Sequence, residues 1–187
     1  MTETGIDLPW SHPVRVADLP GRKPYRFDIA PDAQALIAIA EWADIPKVEK
    51  LRLKGEITPR GKHDMVLTAQ IGATVTQECI ITLEPVRTRI DEPVTRQYLH
   101  DWQPPTGEEA EMPEDDTQEA LPEEIDLAAV ALEALELSLP LYPRKDGAEL
   151  SQTVVAADGV KPMTDEDTKP FANLRDLIQK KGESDGA

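Results

Sequence analysis

The sequence predicts an α+β fold in which a curled, barrel-like antiparallel β-sheet is covered by two helices. Between residues 47 and 99, apolar and polar side chains alternate with a period of two, which is typical of strands with one buried face. Short turns rather than helical crossovers separate these runs, so the strands are expected to pair antiparallel. Two other stretches show helical spacing, and we expect these helices to cover the open face or the ends of the sheet.

The N-terminal part predicts two short extended pieces followed by the first helix. HPVRVADL and PYRFDIA are separated by the turn-like pair Pro20 and Gly21. A helix is predicted from Asp32 to Ala43, because Asp32 suits an N-cap and apolar residues then recur at helical spacing. Pro46 is expected to stop this helix.

The first long strand is predicted within KVEKLRLKGEI, residues 47–57. One face of this strand is apolar and carries Leu51, Leu53 and Ile57. The opposite face is basic and carries Lys50, Arg52 and Lys54. PRGKHD then supplies turn residues before the next run.

The second run, MVLTAQIGATV, keeps one apolar phase throughout. If that strand continues unbroken, Cys79, Ile81 and Leu83 stay in the same phase and are buried. VRTRIDEPVTRQYL predicts a last extended segment, in which Pro93 is expected to cause a bulge or a break.

An acidic stretch follows the strands and separates them from the second helix. Ten acids and no Lys or Arg occur between Asp101 and Glu124. Strong self-repulsion and few apolar residues predict a disordered or mobile loop over residues 103–122. The second helix is predicted from Asp126 to Ser138, because an apolar stripe begins there and Pro140 ends it.

The chain is therefore expected to form a single α+β domain in residues 1–143, with a mostly polar C-terminal tail in residues 144–187. Within the tail, segment 169–181 is amphipathic, with Phe171, Leu174 and Leu177 on one helical face. This segment either packs on its own domain or docks into a groove of a partner.

Composition narrows the choice of partners and compartment. The net charge of −16 disfavours binding to nucleic acid and anionic membranes and favours binding to basic proteins. Without the acidic stretch the net charge is only −6, so a local basic face is still possible. A single cysteine excludes an intrachain disulfide and a cysteine-rich zinc site. Without a secretory signal or an apolar run long enough to cross a membrane, a soluble cytoplasmic protein is expected.

No residue pattern predicts catalysis, a metal site or a cofactor. The three histidines show no recognisable arrangement with Cys79, and the motifs of nucleotide-binding folds, serine hydrolases and zinc proteases do not occur. Cys79 is interpreted as a structural thiol packed on a strand. We therefore expect neither an enzyme nor a small-molecule substrate.

Five cations form a candidate RNA-contact surface if their strands pair in register: Lys50, Arg52, Lys54, Arg87 and Arg89. Such cations contact phosphates. The alternative interpretation is the solvated outer face of a sheet with one buried side. These strands also lack the interleaved aromatic residues that stack on bases.

Four elements, in order, resemble the YceD-like family of bacterial and plastid proteins, known as large ribosomal RNA subunit accumulation proteins. A strand pair leads into CIITLEPV, which is similar to the family's Cys-x-x-Cys-Leu-x-Pro-like strand. After an acidic spacer, IDLAAVALEALELSLPLYPRK resembles the family's helix and exit, and KPFANLRDL resembles its closing Pro-Phe-Ala-x-Leu box. The resemblance spans about Lys47 to Leu177.

The resemblance implies participation in the accumulation of large-subunit ribosomal RNA, through processing or assembly. Thr82 stands at the family's second cysteine position, so no metal or redox role carries over to Cys79, and no catalytic residue is implied. We expect a non-catalytic factor that binds a basic ribosomal or assembly protein. Direct binding of structured RNA is the alternative, and a hydrolase or nuclease with clustered carboxylates is a third hypothesis. The candidate partner-binding residues are Glu108, Glu109, Glu111, Glu114, Asp115, Asp116, Phe171, Leu174 and Leu177.

Overall fold

The structure, a computed structural model, describes residues 8–103 and 117–149. The chain divides into two units, residues 1–148 and 149–187, and every helix and strand described belongs to the first. The strands are β1 (Pro13–Arg15), β2 (Tyr25–Ile29), β3 (Lys47–Arg60), β4 (Asp64–Glu78), β5 (Pro85–Leu99), β6 (Gln118–Ala120) and β7 (Glu124–Asp126). The helices are α1 (Ala33–Trp42) and α2 (Leu127–Ser138), and a 3-10 turn spans Val16–Asp18. No helix in these described ranges is long and apolar enough to cross a membrane.

The five-stranded sheet has the order β2-β3-β4-β5-β6, and β1 pairs with β7 in a separate two-stranded sheet. The α+β class is thus confirmed. The large sheet is mixed rather than wholly antiparallel, because β6 pairs with β5 in parallel. A parallel neighbour needs a connection of about a dozen residues or more, and residues 100–117 supply it. Among the described residues the edge strands β2 and β6 do not pair with each other, so the sheet is open and the barrel-like closure is not observed.

The core lies on one face of the sheet and beneath both helices, which contact β3. The period of two in β3 predicted this face correctly, since Leu51, Leu53 and Ile57 are buried. The predicted helices are confirmed within one residue at each end. In α1, the Asp32 carboxylate accepts a hydrogen bond of 2.8 Å from the Ala35 amide, which is the predicted N-cap.

β4 ends at Glu78, so the condition of an unbroken strand through Leu83 is not met and Cys79 does not lie on a strand, although its predicted burial is confirmed. A tight turn follows, closed by hydrogen bonds from the Cys79 amide to the Glu84 carbonyl (2.8 Å) and from the Leu83 amide to the Cys79 carbonyl (2.9 Å). Leu83 has a φ of 58°, and its side chain is 71% exposed. The apolar spacing therefore crosses a turn in which only the first member, Cys79, is fully buried.

Pro93 neither bulges nor breaks β5, contrary to expectation, because its backbone nitrogen lies on the side of β5 that has no described partner strand at this position. The Gln97 amide and the Leu99 carbonyl point toward β6, with bonds to Thr117 and Leu121 of 2.8 and 3.0 Å. Alternation along a strand gives Pro93 the same orientation as these two residues. Since β6 pairs only with residues 97–99, the missing N–H of Pro93 removes no ladder hydrogen bond.

The carboxylate of Asp126 accepts hydrogen bonds both from the first turn of α2 and from the N-terminal segment. Asp126 accepts hydrogen bonds from the Ala128 and Ala129 amides at 2.9 and 3.3 Å, as an N-cap does. It also accepts bonds from the Ser11 hydroxyl (2.7 Å) and the His12 amide (2.8 Å). Asp126 therefore ties the N-terminal segment to the helix that covers the core.

Candidate functional site

The sheet brings the five candidate RNA-contact cations to one face. Thr74 of β4 pairs with Lys50 on one side and Arg89 on the other, and Thr76 pairs with Arg87. Arg52 and Lys54 follow Lys50 at alternate positions of β3. We call this the outer sheet face, because it is opposite the core. The strands that carry the five cations therefore pair in register, as the candidate RNA-contact surface requires.

The three arginines among these five cations bind carboxylates of the same face. Arg52 forms two hydrogen bonds with Asp28. Arg87 contacts Glu49 at 2.9 and 3.0 Å. Arg89 contacts Asp91 through two nitrogens. The guanidinium charges are therefore compensated before any ligand arrives.

These pairs also hold the carboxylates in their ionised form. The hydrogen bond from each arginine lowers the pKa of Asp28, Glu49 and Asp91, and the nearby positive charge adds to this effect against a smaller opposing effect of burial. The three arginines remain paired at neutral pH. Sequence analysis missed these partners, because only the strand register shows which carboxylate meets which arginine.

The lysines of the outer sheet face differ from the arginines. Lys50 and Lys54 form no ion pair with any described residue, and Lys47 shares this property. The outer sheet face therefore carries charges of both signs. Its cations include Arg26, Lys47, Lys50, Arg52, Lys54, Arg87 and Arg89, and its carboxylates include Asp28, Glu49, Glu56 and Asp91.

Cys79 lies at the start of the turn after β4 and is fully buried. Its sulfur accepts a hydrogen bond of 3.4 Å from the Lys145 amide. Hydrogen bonds from the Thr82 hydroxyl, the Lys145 amide and the Thr82 amide lower the pKa of the thiol to about 6, although burial acts in the opposite direction. No group of three or more His, Cys, Asp and Glu side chains in the described ranges is arranged to hold a metal ion.

The turn after β4 packs against the segment that follows α2. The Ile80 amide donates to the Pro143 carbonyl at 3.0 Å, and Gln77 Nε2 donates to the Pro140 carbonyl at 3.1 Å. Lys145 Nζ also lies 2.8 Å from the Glu84 carboxylate. CIITLEPV and LSLPLYPRK, two of the stretches that carry the family resemblance, thus contact each other. We call this unit the Cys79 corner (residues 77–84 and 140–145).

The candidate partner-binding residues all lie outside the described residues. These are Glu108, Glu109, Glu111, Glu114, Asp115, Asp116, Phe171, Leu174 and Leu177. The predicted mobile loop of residues 103–122 is wrong for residues 118–120, where β6 forms. Residues 104–116 of that prediction lie outside the described residues.

A comparison with protein-family models identifies the relatives of this chain. The model described as large ribosomal RNA subunit accumulation protein YceD matches residues 67–178, which is more than half of the 187 residues. The chain belongs to the YceD family. The match begins within β4, includes the Cys79 corner and α2, and extends past the described residues. The predicted resemblance is thereby confirmed.

Membership of the YceD family links the chain to the accumulation of large-subunit ribosomal RNA, as the family description states. Neither the curated proteins nor the solved structures contain a match to this chain. The family therefore supplies the biological process, whereas the physical interactions must be argued from the residues themselves.

Proposed function

We propose that this protein is a non-catalytic factor that supports 23S ribosomal RNA accumulation and processing, and large-subunit assembly, by binding a basic ribosomal or assembly protein. The observation that carries the proposal is the pairing of Arg52, Arg87 and Arg89 with carboxylates of their own sheet face. Arginines that contact RNA phosphates have to be available to them. An arginine already held in two hydrogen bonds by a carboxylate gives up that partner before it binds a phosphate.

The charge of the whole chain favours a basic partner. At a net charge of −16, the protein attracts cationic proteins over long range and repels polyanions. The acidic stretch between Glu108 and Glu124 is the proposed electrostatic contact, and the PFANLRDLI segment is the proposed apolar anchor. Binding that depends on exposed charges weakens as salt screens them.

Neutralising the acidic stretch tests this proposal. Glu108, Glu109, Glu111 and Glu114 are replaced by Gln, and Asp115 and Asp116 by Asn. Affinity for purified basic large-subunit proteins is then measured at several salt concentrations. We expect weaker binding and a flatter salt dependence than in the original chain. An unchanged affinity with an unchanged salt dependence would show that the stretch is not the contact.

Direct binding of structured RNA is the second candidate, favoured by one observation. Lys47, Lys50 and Lys54 lie on the outer sheet face and form no ion pair with described residues. Under this hypothesis Lys50→Glu with Lys54→Glu weakens binding of a large-subunit RNA fragment and reduces its salt dependence. Deleting the acidic loop then tightens RNA binding, because a competing polyanion is removed.

A further inference from the structure

One side of β5 is only partly covered by another strand. On its β4 side, β5 is paired over residues 85–98, whereas β6 pairs only with residues 97–99 on the other side. Within the described ranges, no strand pairs with residues 85–96 on the β6 side, and we call this stretch the open edge of β5. An edge of this kind presents backbone N–H and C=O groups that can pair with another extended chain.

The pairing with β6 shows which backbone groups face the open edge. Gln97 and Leu99 direct their backbone groups to the β6 side, where they form hydrogen bonds of 2.8 and 3.0 Å. Because alternate residues of a strand share one orientation, Thr95, Asp91 and Arg89 direct their amides and carbonyls to the same side. None of these amides and carbonyls bonds to another described residue. They are therefore available to a strand that joins the sheet at this edge.

Pro93 makes the open edge selective. Proline on a strand edge hinders indiscriminate pairing with other chains, because it has no N–H to donate. Pro93 interrupts the row of donors, but its carbonyl still faces the edge between Asp91 and Thr95. A ligand strand can therefore bond to the amides and carbonyls of both neighbours and donate to the Pro93 carbonyl. Backbone pairing alone is weaker here than on a complete edge, so a ligand also needs side-chain contacts.

A groove beside the open edge supplies such side-chain contacts. This groove of about 550 Å³ is lined by residues 92–96 of β5 and by Ala134, Leu137 and Ser138 of α2, and we call it the β5–α2 groove. Val94 and Ala134 are buried, whereas Leu137 is 76% exposed. In strand addition, backbone hydrogen bonds give affinity and side-chain pockets give specificity. The open edge and the α2 wall provide the two kinds of contact side by side.

The charges at the β5–α2 groove favour a basic ligand. Arg96 lines the groove, but its guanidinium is already paired with Glu133 of α2 and lies 3.8 Å from the Glu119 carboxylate of β6. Glu92 lines the same groove and forms no ion pair with a described residue. A cationic side chain therefore meets a carboxylate that has no partner to leave. A phosphate meets no unpaired cation among the described residues that line the groove.

We infer that an extended segment of a basic partner protein binds in the β5–α2 groove as an added strand of the sheet. Its backbone pairs with the open edge, an apolar side chain packs against Ala134 and Leu137, and a lysine or arginine contacts Glu92. The inference rests on the proposed function and adds a backbone contact to the electrostatic contact proposed there. In the sequence, Asp116 directly precedes Thr117, which lines the groove, so one basic partner can use both contacts.

Amide hydrogen exchange of the full-length, isotopically labelled chain, followed by nuclear magnetic resonance, tests strand addition. The probe is the capped peptide Thr-Lys-Thr-Val-Thr-Lys-Thr, in which Val and Lys share one face of an extended chain. The control is the same peptide with N-methylated backbone amides, which keeps the side chains but cannot donate. We expect the probe to slow exchange at Thr95, Asp91 and Arg89. Exchange at Ile90 and Val94, whose amides face β4, should stay the same, and the control peptide should change nothing.

Matched variants make the test specific for the β5–α2 groove. Thr95→Pro removes an amide from the open edge without removing a bond to β4, and we expect the dissociation constant of the peptide to rise about fivefold or more. Thr95→Ala keeps the amide, and a change of about twofold or less is expected. Leu137→Ala removes the apolar contact and should also weaken binding, whereas Leu141→Ala, an 85% exposed leucine outside the groove, should not. Thermal unfolding checks the fold of each variant, and the leucine pair tests the groove even if Thr95→Pro does not fold.

Three results would overturn the inference. Unchanged exchange at the open edge with the probe peptide excludes strand addition, and the proposed function is then judged separately by neutralisation of the acidic stretch. Slow exchange of these amides in the free protein at low concentration would show that another part of the same chain already covers the edge. Slow exchange that develops only as the protein concentration rises would identify a second copy of this chain as the occupant.

Discussion

The sulfur of Cys79 accepts a hydrogen bond from the backbone amide of Lys145, at a distance of 3.4 Å. This contact joins residues 66 positions apart and links the turn after β4 to the segment after α2. Both stretches carry the resemblance to the YceD family. Cys79, which the sequence indicates to be a structural thiol, thus has a hydrogen-bonding role at the junction of two family motifs.

Replacing Thr82 with Val should raise the pKa of Cys79. The Thr82 hydroxyl is the largest of the influences that lower this pKa to about 6, and valine keeps the shape but cannot donate. The thiolate absorbance of the single cysteine, followed across pH in the folded protein, measures the change. Thr82→Ser keeps a hydroxyl and is the matched control. An identical titration in Thr82→Val would contradict the assigned cause.

The same thiol predicts a dependence of stability on pH. Its pKa falls from the usual 9.0 to about 6 on folding, so its contribution is fully present above pH 9 and is lost as the pH falls to 6. Denaturant unfolding between these limits should show the original chain losing stability relative to Cys79→Ala as the pH is lowered. Parallel curves for the two proteins would show that the thiol does not ionise more readily when folded.

Replacing Asp126 with Ala should destabilise the protein by about 2 kcal/mol, at the upper end of the effect of losing an N-cap. The loss is large because the carboxylate also holds Ser11 and His12. Asp32→Ala is the matched control, since this cap accepts one hydrogen bond from Ala35, and about 1 kcal/mol is expected. Chemical denaturation measures both. Equal losses would show that the contacts to Ser11 and His12 contribute nothing.

The lowered pKa of Asp126 predicts that the free energy of unfolding decreases at low pH. Burial raises its pKa, but the hydrogen bonds from His12, Ser11 and the first helical amides outweigh this effect and lower it. A carboxyl with a lowered folded pKa stabilises the protein above its unfolded pKa of about 3.9, and this stability is lost as the pH falls through the folded value. Asp126→Asn should reduce this loss of unfolding free energy at low pH, as measured by chemical denaturation across pH.

Replacing Gly55 with Ala should destabilise the sheet by about 3 kcal/mol, because the added methyl group would clash with the neighbouring strand β4. A Cβ at this position would lie 2.3 Å from the Thr68 carbonyl oxygen and 2.6 Å from Ala69 Cα. Backbone atoms of the neighbouring strand cannot move aside without breaking the pairing of β3 with β4. Gly21→Ala is the control, since nothing lies within 4 Å, and a change within about 0.5 kcal/mol is expected.

The parts of this fold that the sequence predicted are those decided by local periodicity. Alternation in β3 identified its buried face, and the cap at Asp32 located α1. The end of β4 was missed because apolar residues keep their spacing through the turn to Leu83. The parallel strand β6 was missed because three residues in an acidic stretch carry no alternation long enough to recognise.

The candidate sites show the same division between local and long-range information. Alternation placed Lys50, Arg52 and Lys54 on one face, but the partners of the arginines depended on strand register. The Cys79 corner joins residues 77–84 with residues 140–145, and no local pattern connects them. Tertiary structure alone brings these two stretches together.

Affinity capture of the tagged, full-length protein from its native cells, with and without ribonuclease treatment, tests the central claim most directly. Proteins and RNA are identified in both eluates. The account predicts that basic ribosomal or assembly proteins stay bound after ribonuclease treatment and are lost at high salt. Enrichment of ribosomal RNA, with every protein partner lost on digestion, would contradict it and would assign the contact to the lysines of the outer sheet face.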